Sequence, residues 1–184
     1  MAARRARRPP GPPPALDLRG ARVAAFDLLA RKGWSGRDLR ARLVRRGASR
    51  EMAAEIVAEL EGKGYVDDDA FARWWAEARA RGRRVGSRRL TQELRAKGIA
   101  PVLVAAAVQS AFAEVPEGER ALEAARRRLP ALRRTRPDRA ASRLRDYLLR
   151  RGYPASAVRA AVTAVLGPLP ESEDVPPTPD SARV

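Results

Sequence analysis

Leu39-Arg-Ala-Arg-Leu43-Val-Arg-Arg46-Gly47, Leu90-Thr-Gln-Glu-Leu94-Arg-Ala-Lys97-Gly98 and Leu144-Arg-Asp-Tyr-Leu148-Leu-Arg-Arg151-Gly152 are three copies of one pattern. Leucines four apart share a helix face. A basic residue in the last turn complements the helix dipole, and a glycine after it is the usual C′ residue. The glycines are separated by 51 and then 54 residues, and each copy is followed by a second apolar helical segment. Repetition at this length predicts stacked helical units, which present a surface to a partner rather than enclose an active site.

Outward from these copies the chain divides into three units of three helices. Unit one spans 19–66: Ala21, Ala25, Leu28 and Leu29 share a face, Gly33-Trp34 stops the helix, and Ser35-Gly36-Arg37-Asp38 is a capping box for the next. Ser49 caps the third helix, whose Ala53, Ile56, Val57 and Leu60 fall at i, i+3, i+4, i+7. Unit two spans 67–115. Phe71, Trp74, Trp75 and Ala78 form its opening stripe, Pro101 sits in the first turn of its last helix, and Val104, Ala107, Val108 and Ala111 repeat the unit-one stripe. Unit three spans 116–166. Pro130 is expected to cut its first helix, Pro137 to open its second and Pro154 its last. The predicted fold is all-α, an elongated array of three tandem three-helix repeats with almost no strand.

Outside the array lie two proline-rich tails, 1–18 and 167–184, expected to be disordered. Arg4, Arg5, Arg7 and Arg8 make the first basic. Glu171, Glu173, Asp174 and Asp180 make the second acidic, so the net charge of +16 belongs mostly to the folded part. Of the 38 basic residues only Lys32, Lys63 and Lys97 are lysines. Guanidinium forks suit phosphate and carboxylate, so the field of such a chain draws nucleic acid or an acidic protein surface. With no cysteine and no histidine, disulfides, Cys/His zinc sites and Ser-His or Cys-His nucleophiles are excluded. No run approaches the ~18 apolar residues of a membrane helix. The N-terminus runs into prolines and is not read as a secretory signal. Neither cofactor nor metal is expected, and the default location is the cytoplasm.

Several features invite sharper readings. Asp67-Asp68-Asp69 suggests a divalent-metal cluster, but consecutive carboxylates diverge, and an N-cap with first-turn acids is the better account. Trp74 and Trp75 suggest base stacking; their place on the opening stripe assigns both to the core, Trp74 first. Arg81–Arg89 holds five arginines in nine positions with glycines at 82 and 86, and lacks the Gly-Lys-Ser/Thr ending of a P-loop. So much like charge predicts a counter-anion. Arg81, Arg83, Arg84, Arg88, Arg89, Arg95 and Lys97 are therefore the expected partner- or DNA-binding residues. Arg126-Arg127-Arg128 and Arg133-Arg134-Arg136 are weaker candidates. Glu93 is expected to pair with a nearby arginine that the sequence does not identify.

Gly64-Tyr65-Val66-Asp67-Asp68-Asp69-Ala70-Phe71-Ala72, followed by Gly86-x-x-x-Leu90-x-x-Glu93-Leu94-x-x-Lys97-Gly98-Ile99, resembles the RecX family of bacterial recombination regulators. The likeness runs from about Ala21 to Leu166. It implies an elongated, all-helical, non-enzymatic, monomeric regulator that lies along the groove of the RecA–DNA filament. It also implies inhibition of the recombinase, ATPase and coprotease activities of RecA in DNA repair and the SOS response. RecA and its filament are the implied partners, with direct contact to single- or double-stranded DNA alongside, and no membrane. A rival reading is a stand-alone helix-turn-helix-like DNA-binding protein.

Overall fold

The computed structural model describes residues 14–167 apart from Arg136; the expected tails over 1–13 and 168–184 lie outside the described residues. Nine α-helices occur among them, and no strand. Unit one is α1 (Leu18–Leu29), α2 (Gly36–Arg45) and α3 (Arg50–Gly62). Unit two is α4 (Asp68–Gly82), α5 (Ser87–Ala96) and α6 (Pro101–Ala111). Unit three is α7 (Glu117–Thr135), a 3-10 turn (Pro137–Arg139), α8 (Ala140–Arg150) and α9 (Ala155–Leu166).

Each unit has its own buried cluster. At the centre of each lies the leucine pair of the repeated pattern: Leu39 and Leu43, Leu90 and Leu94, Leu144 and Leu148 are all fully buried. The third helix packs on the first and second within a unit, and no helix–helix packing of comparable extent crosses a unit boundary. The array is therefore elongated, with three small cores rather than one.

Two stretches differ from expectation. The buried face of α4 is Ala72, Ala76 and Ala80 with Phe71 at its flank; Trp75 is half-buried, while Ala78 is exposed and Trp74 is 60% exposed. Trp74 is thus not a core residue. Small alanines let α6 approach closely and leave the larger indole outside. Pro130 does not cut unit three: α7 runs through it to Thr135. Proline in a helix interior removes one backbone hydrogen bond and crowds the preceding turn. The exposed ring here faces solvent, while Leu129 and Leu132 on either side of it are buried and keep the helix seated.

The boundaries are polar joints built twice to the same plan. At the first joint, Ser35 Oγ at the start of α2 donates to the Lys97 carbonyl at 2.8 Å, and the Gly36 amide donates to Asp68 at 2.9 Å. At the second, the Gly86 and Arg88 amides at the start of α5 donate to the Arg151 and Gly152 carbonyls at 2.9 and 3.1 Å. The Ser87 amide donates to Glu117 at 2.6 Å. Gly36 and Ser87 are equivalent repeat positions, so α2 and α5 each have a first-turn amide held by a first-turn acid of the next unit. At the second joint orphan amides at one helix start and orphan carbonyls at another helix end satisfy each other, whereas at the first the Ser35 hydroxyl satisfies the carbonyl. Gly98 and Gly152 have φ of +80° and +86°, and a Cβ on either would collide with Arg37 or Arg89.

The third glycine of the pattern, Gly47, meets no middle helix of another unit among the described residues. The place of such a helix is taken by the chain itself. The Leu16 amide donates to the Gly47 carbonyl at 3.0 Å, the Pro14 carbonyl lies against Gly47, and Leu16 packs into the first core. The strap lies ahead of residue 19, within the stretch expected as tail, and Asp17 caps α1 through the Gly20 amide at 2.7 Å.

Candidate partner interface

The joints set the three middle helices end to end. The C-terminus of α8 meets the start of α5, and the C-terminus of α5 meets the start of α2. At 1.5 Å per residue their summed length is roughly 50 Å. Because the leucines take the buried stripe, the remaining positions face solvent, and there the arginines gather. α2 has Arg37, Arg40, Arg42 and Arg45 against Asp38; α5 has Arg88, Arg89 and Arg95 against Glu93; α8 has Arg143, Arg145 and Arg150 against Asp146. Arg37 and Arg88 are equivalent repeat positions, as are Arg40 and Arg145, and Arg45 and Arg150. The third helices carry no such surplus: α3 has four glutamates against Arg50, and α6 has no charged residue.

Within this run the expected contact residues separate into three groups. Arg83, Arg88 and Arg95 are exposed, and among the described residues their guanidinium groups have no partner. The Arg83 backbone is pinned, since its carbonyl accepts a short hydrogen bond from Arg151. Arg81 and Arg89 are exposed but paired: Arg81 with Glu77 and Glu114, both at 3.1 Å, and Arg89 with Glu93 at 3.1 Å and the Arg150 carbonyl at 3.3 Å. Exposed pairs of this kind are worth about 0.2–1 kcal/mol, so a stronger anion can redirect them. Arg84 and Lys97 turn inward. Arg84 has φ +48° and reaches Glu123 at 3.6 Å. Lys97 is held by Asp38 at 2.7 Å across the first joint and lies 4.2 Å from the Trp75 ring centre.

Glu93 is the polar hub of unit two. Its carboxylate accepts from the Trp75 indole N–H at 3.1 Å and from Arg89, and Arg79 Nε sits 3.0 Å away, close enough to pair but outside hydrogen-bond alignment. Three separate jobs account for the acidic triplet. Asp67 caps α4 by accepting from the Asp69 and Ala70 amides, Asp68 caps α2, and Asp69 pairs with Arg73. Arg127 pairs with Glu123 at 2.9 Å, Arg128 lies over the Tyr147 ring, and Arg126, Arg133 and Arg134 are exposed; Arg136 lies outside the described residues. Sequence reading missed the arginines of α2 and α8. Aligning the three copies on their leucines finds them, because the same solvent positions recur.

The family model for the second three-helix domain of RecX matches residues 67–108, which is unit two from the cap of α4 into α6. A regulatory protein RecX from Streptomyces coelicolor is 35% identical over 143 residues, covering 78% of this chain and 76% of that one. The chain belongs to the RecX family. A RecX from Thermus thermophilus is 38% identical over 130 residues, covering 71% of this chain and 81% of its own, and one from Deinococcus radiodurans is 32% identical over 167 residues, covering 90% and 78%. The fold agrees with solved RecX structures. One matches with a TM-score of 0.69 at 21% identity, covering 76% of this chain and 70% of its own. The Lactobacillus salivarius RecX matches with a TM-score of 0.68 at 13% identity, covering 80% and 96%. RecX relatives carry the name of regulatory proteins. Among the described residues no helix is long and apolar enough to cross a membrane.

Proposed function

We propose that this chain is a non-enzymatic regulator that binds the RecA recombinase and its DNA filament and inhibits them by occupancy. The observation that carries the reading is that three arginine-rich middle helices, of summed length roughly 50 Å, follow one another end to end. A line of that length suits an extended anionic groove better than a compact pocket. Arg83, Arg88 and Arg95 lead the contact, joined by the loosely paired Arg81 and Arg89 and by the equivalent arginines of α2 and α8. Arg84 and Lys97 act behind them as supports. Each contact is weak, and affinity comes from many of them on one rigid body. Occupying the groove excludes co-substrates and further RecA protomers, lowering recombinase, ATPase and coprotease activity in the cytoplasm. The protein acts as a monomer and needs no cofactor.

The helix-turn-helix alternative requires the last helix of a unit to read bases. Acidic α3 and uncharged α6 are poorly suited to that. The test is RecA's DNA-dependent ATPase and strand exchange with stoichiometric chain present. Suppression of both is expected, and unchanged rates overturn the reading. Reversing Arg88 and Arg95 to Glu is expected to weaken filament binding and flatten its salt dependence by about two counterions. An unchanged salt slope would move the interface elsewhere.

A further inference from the structure

Six of the nine aromatic residues gather where units one and two meet: Phe26, Trp34, Tyr65, Phe71, Trp74 and Trp75. They do not all serve the cores. Trp74 is 60% exposed, Tyr65 59% and Phe26 48%. Trp34, Tyr65, Phe71 and Trp74 line a groove of about 420 Å³ with Lys32 and Asp67 on its rim. Its walls are fixed: the Trp34 indole donates to the Leu28 carbonyl at 3.0 Å, Phe26 meets Tyr65 edge-on at 5.6 Å, and Trp75 stacks on Phe71 at 5.7 Å. Among the described residues, the Trp74 indole N–H and the Tyr65 hydroxyl have no hydrogen-bond partner.

We propose that this groove is the docking site of the chain's own N-terminal arm, the arginine- and proline-rich residues 4–13. Three observations select that occupant. The first is chemistry. A polyproline II segment stacks its rings on aromatic faces and makes no hydrogen bonds of its own, so its carbonyls need donors. The groove supplies aromatic faces and two unused donors, and Pro9, Pro10, Pro12 and Pro13 supply the rings.

The second is reach. The arm is tethered at the Pro14–Leu16 strap on unit one. From the start of α1 to Phe26 is about 12 Å along the helix, whereas thirteen residues of polyproline II span about 40 Å. So short a tether gives an effective concentration on the order of millimolar, and a weak intrinsic affinity suffices.

The third is charge. Asp67 on the rim and exposed Asp27 beside Phe26 suit Arg4, Arg5, Arg7 and Arg8, while Lys32 is drawn over the Trp34 ring at 3.9 Å. The other proline-rich segment, 168–184, carries Glu171, Glu173, Asp174 and Asp180 and leaves from unit three. It is of the wrong sign and starts at the wrong end.

The experiment compares acrylamide quenching of tryptophan fluorescence in the full chain and in a full-length variant with Pro9, Pro10, Pro12 and Pro13 all changed to Ser. The arm shields Trp74, so quenching rises severalfold in the variant. A synthetic peptide of residues 1–13 added to the variant brings it back down, and with Trp74→Phe in both proteins the difference disappears. Equal quenching in the full chain and the variant overturns the proposal. So does shielding that depends on protein concentration, which means the arm of a second copy, or shielding lost when the C-terminal prolines are changed instead.

Discussion

Ser35 has no exposed surface, yet its hydroxyl does two things: it accepts from the Asp38 amide to cap α2 and donates to the Lys97 carbonyl across the first joint. Ser35→Ala removes both and leaves a carbonyl without its donor. A loss of about 1–2 kcal/mol is expected, read as a lower denaturant midpoint. Tyr153 is also fully buried, with its hydroxyl 3.4 Å from the Arg120 carbonyl, and burial pushes its phenol up to about 12 from 10.0. Below pH 10 the phenol is protonated in both states and nothing is lost. Between pH 10 and about 12 the unfolded chain ionises while the folded one does not, so stability falls. The loss attributable to Tyr153 is about 2–3 kcal/mol above that range. Unfolding followed through alkaline pH should therefore fall less steeply in Tyr153→Phe than in the parent. The cap role of Ser35 was legible from Ser-x-x-Asp before an apolar run. Its second bond was not, because sequence gives no sign of a partner 62 residues away.

At the scale of elements, the repeated glycine carries more than a helix stop. Gly64 and Gly152 both have positive φ, +73° and +86°, so alanine at either is strained by about 1–2 kcal/mol. They differ in what a Cβ would meet: nothing within 4 Å at Gly64, but the Arg89 backbone nitrogen at 2.5 Å at Gly152. Gly152→Ala should destabilise clearly more than Gly64→Ala in chemical denaturation, and equal losses would mean that the joint gives way freely. Helix identities and the leucine stripes were readable because period and caps agree. The face of α4 was misread because three alanines in an alanine-rich chain carry little signal beside two tryptophans. The course of α7 through Pro130 was hidden for a related reason. A proline marks a break only when packing on both sides does not hold the helix, and Leu129 and Leu132 do hold it. Pro130→Ala should accordingly raise the melting temperature, since the lost hydrogen bond returns without disturbing a buried side chain.

At the scale of the whole molecule, three cores in a row predict a scattering profile with a rod-like regime and a radius of gyration well above the ~16 Å of a compact 184-residue chain. A sphere-like profile would contradict the array. The number of units was legible from the spacing of the glycines, but their mutual placement was not, because each joint sets backbone groups against partners tens of residues away, and nothing local in sequence marks such a pairing. The contact surface was half-legible for the same reason: a local run of arginines is visible in sequence, whereas the alignment of α2, α5 and α8 end to end is a property of the joints. Those joints also make the molecule a kit with a defined connector. Unit two alone contributes a helix start to one internal joint and a glycine to the other, so it carries both halves of the coupling. Duplicating residues 67–115 in tandem should thus give a four-unit rod, longer by one middle helix and its joint, about 15–20 Å. The strap would still close the end at Gly47, so growth by this route is possible only from within.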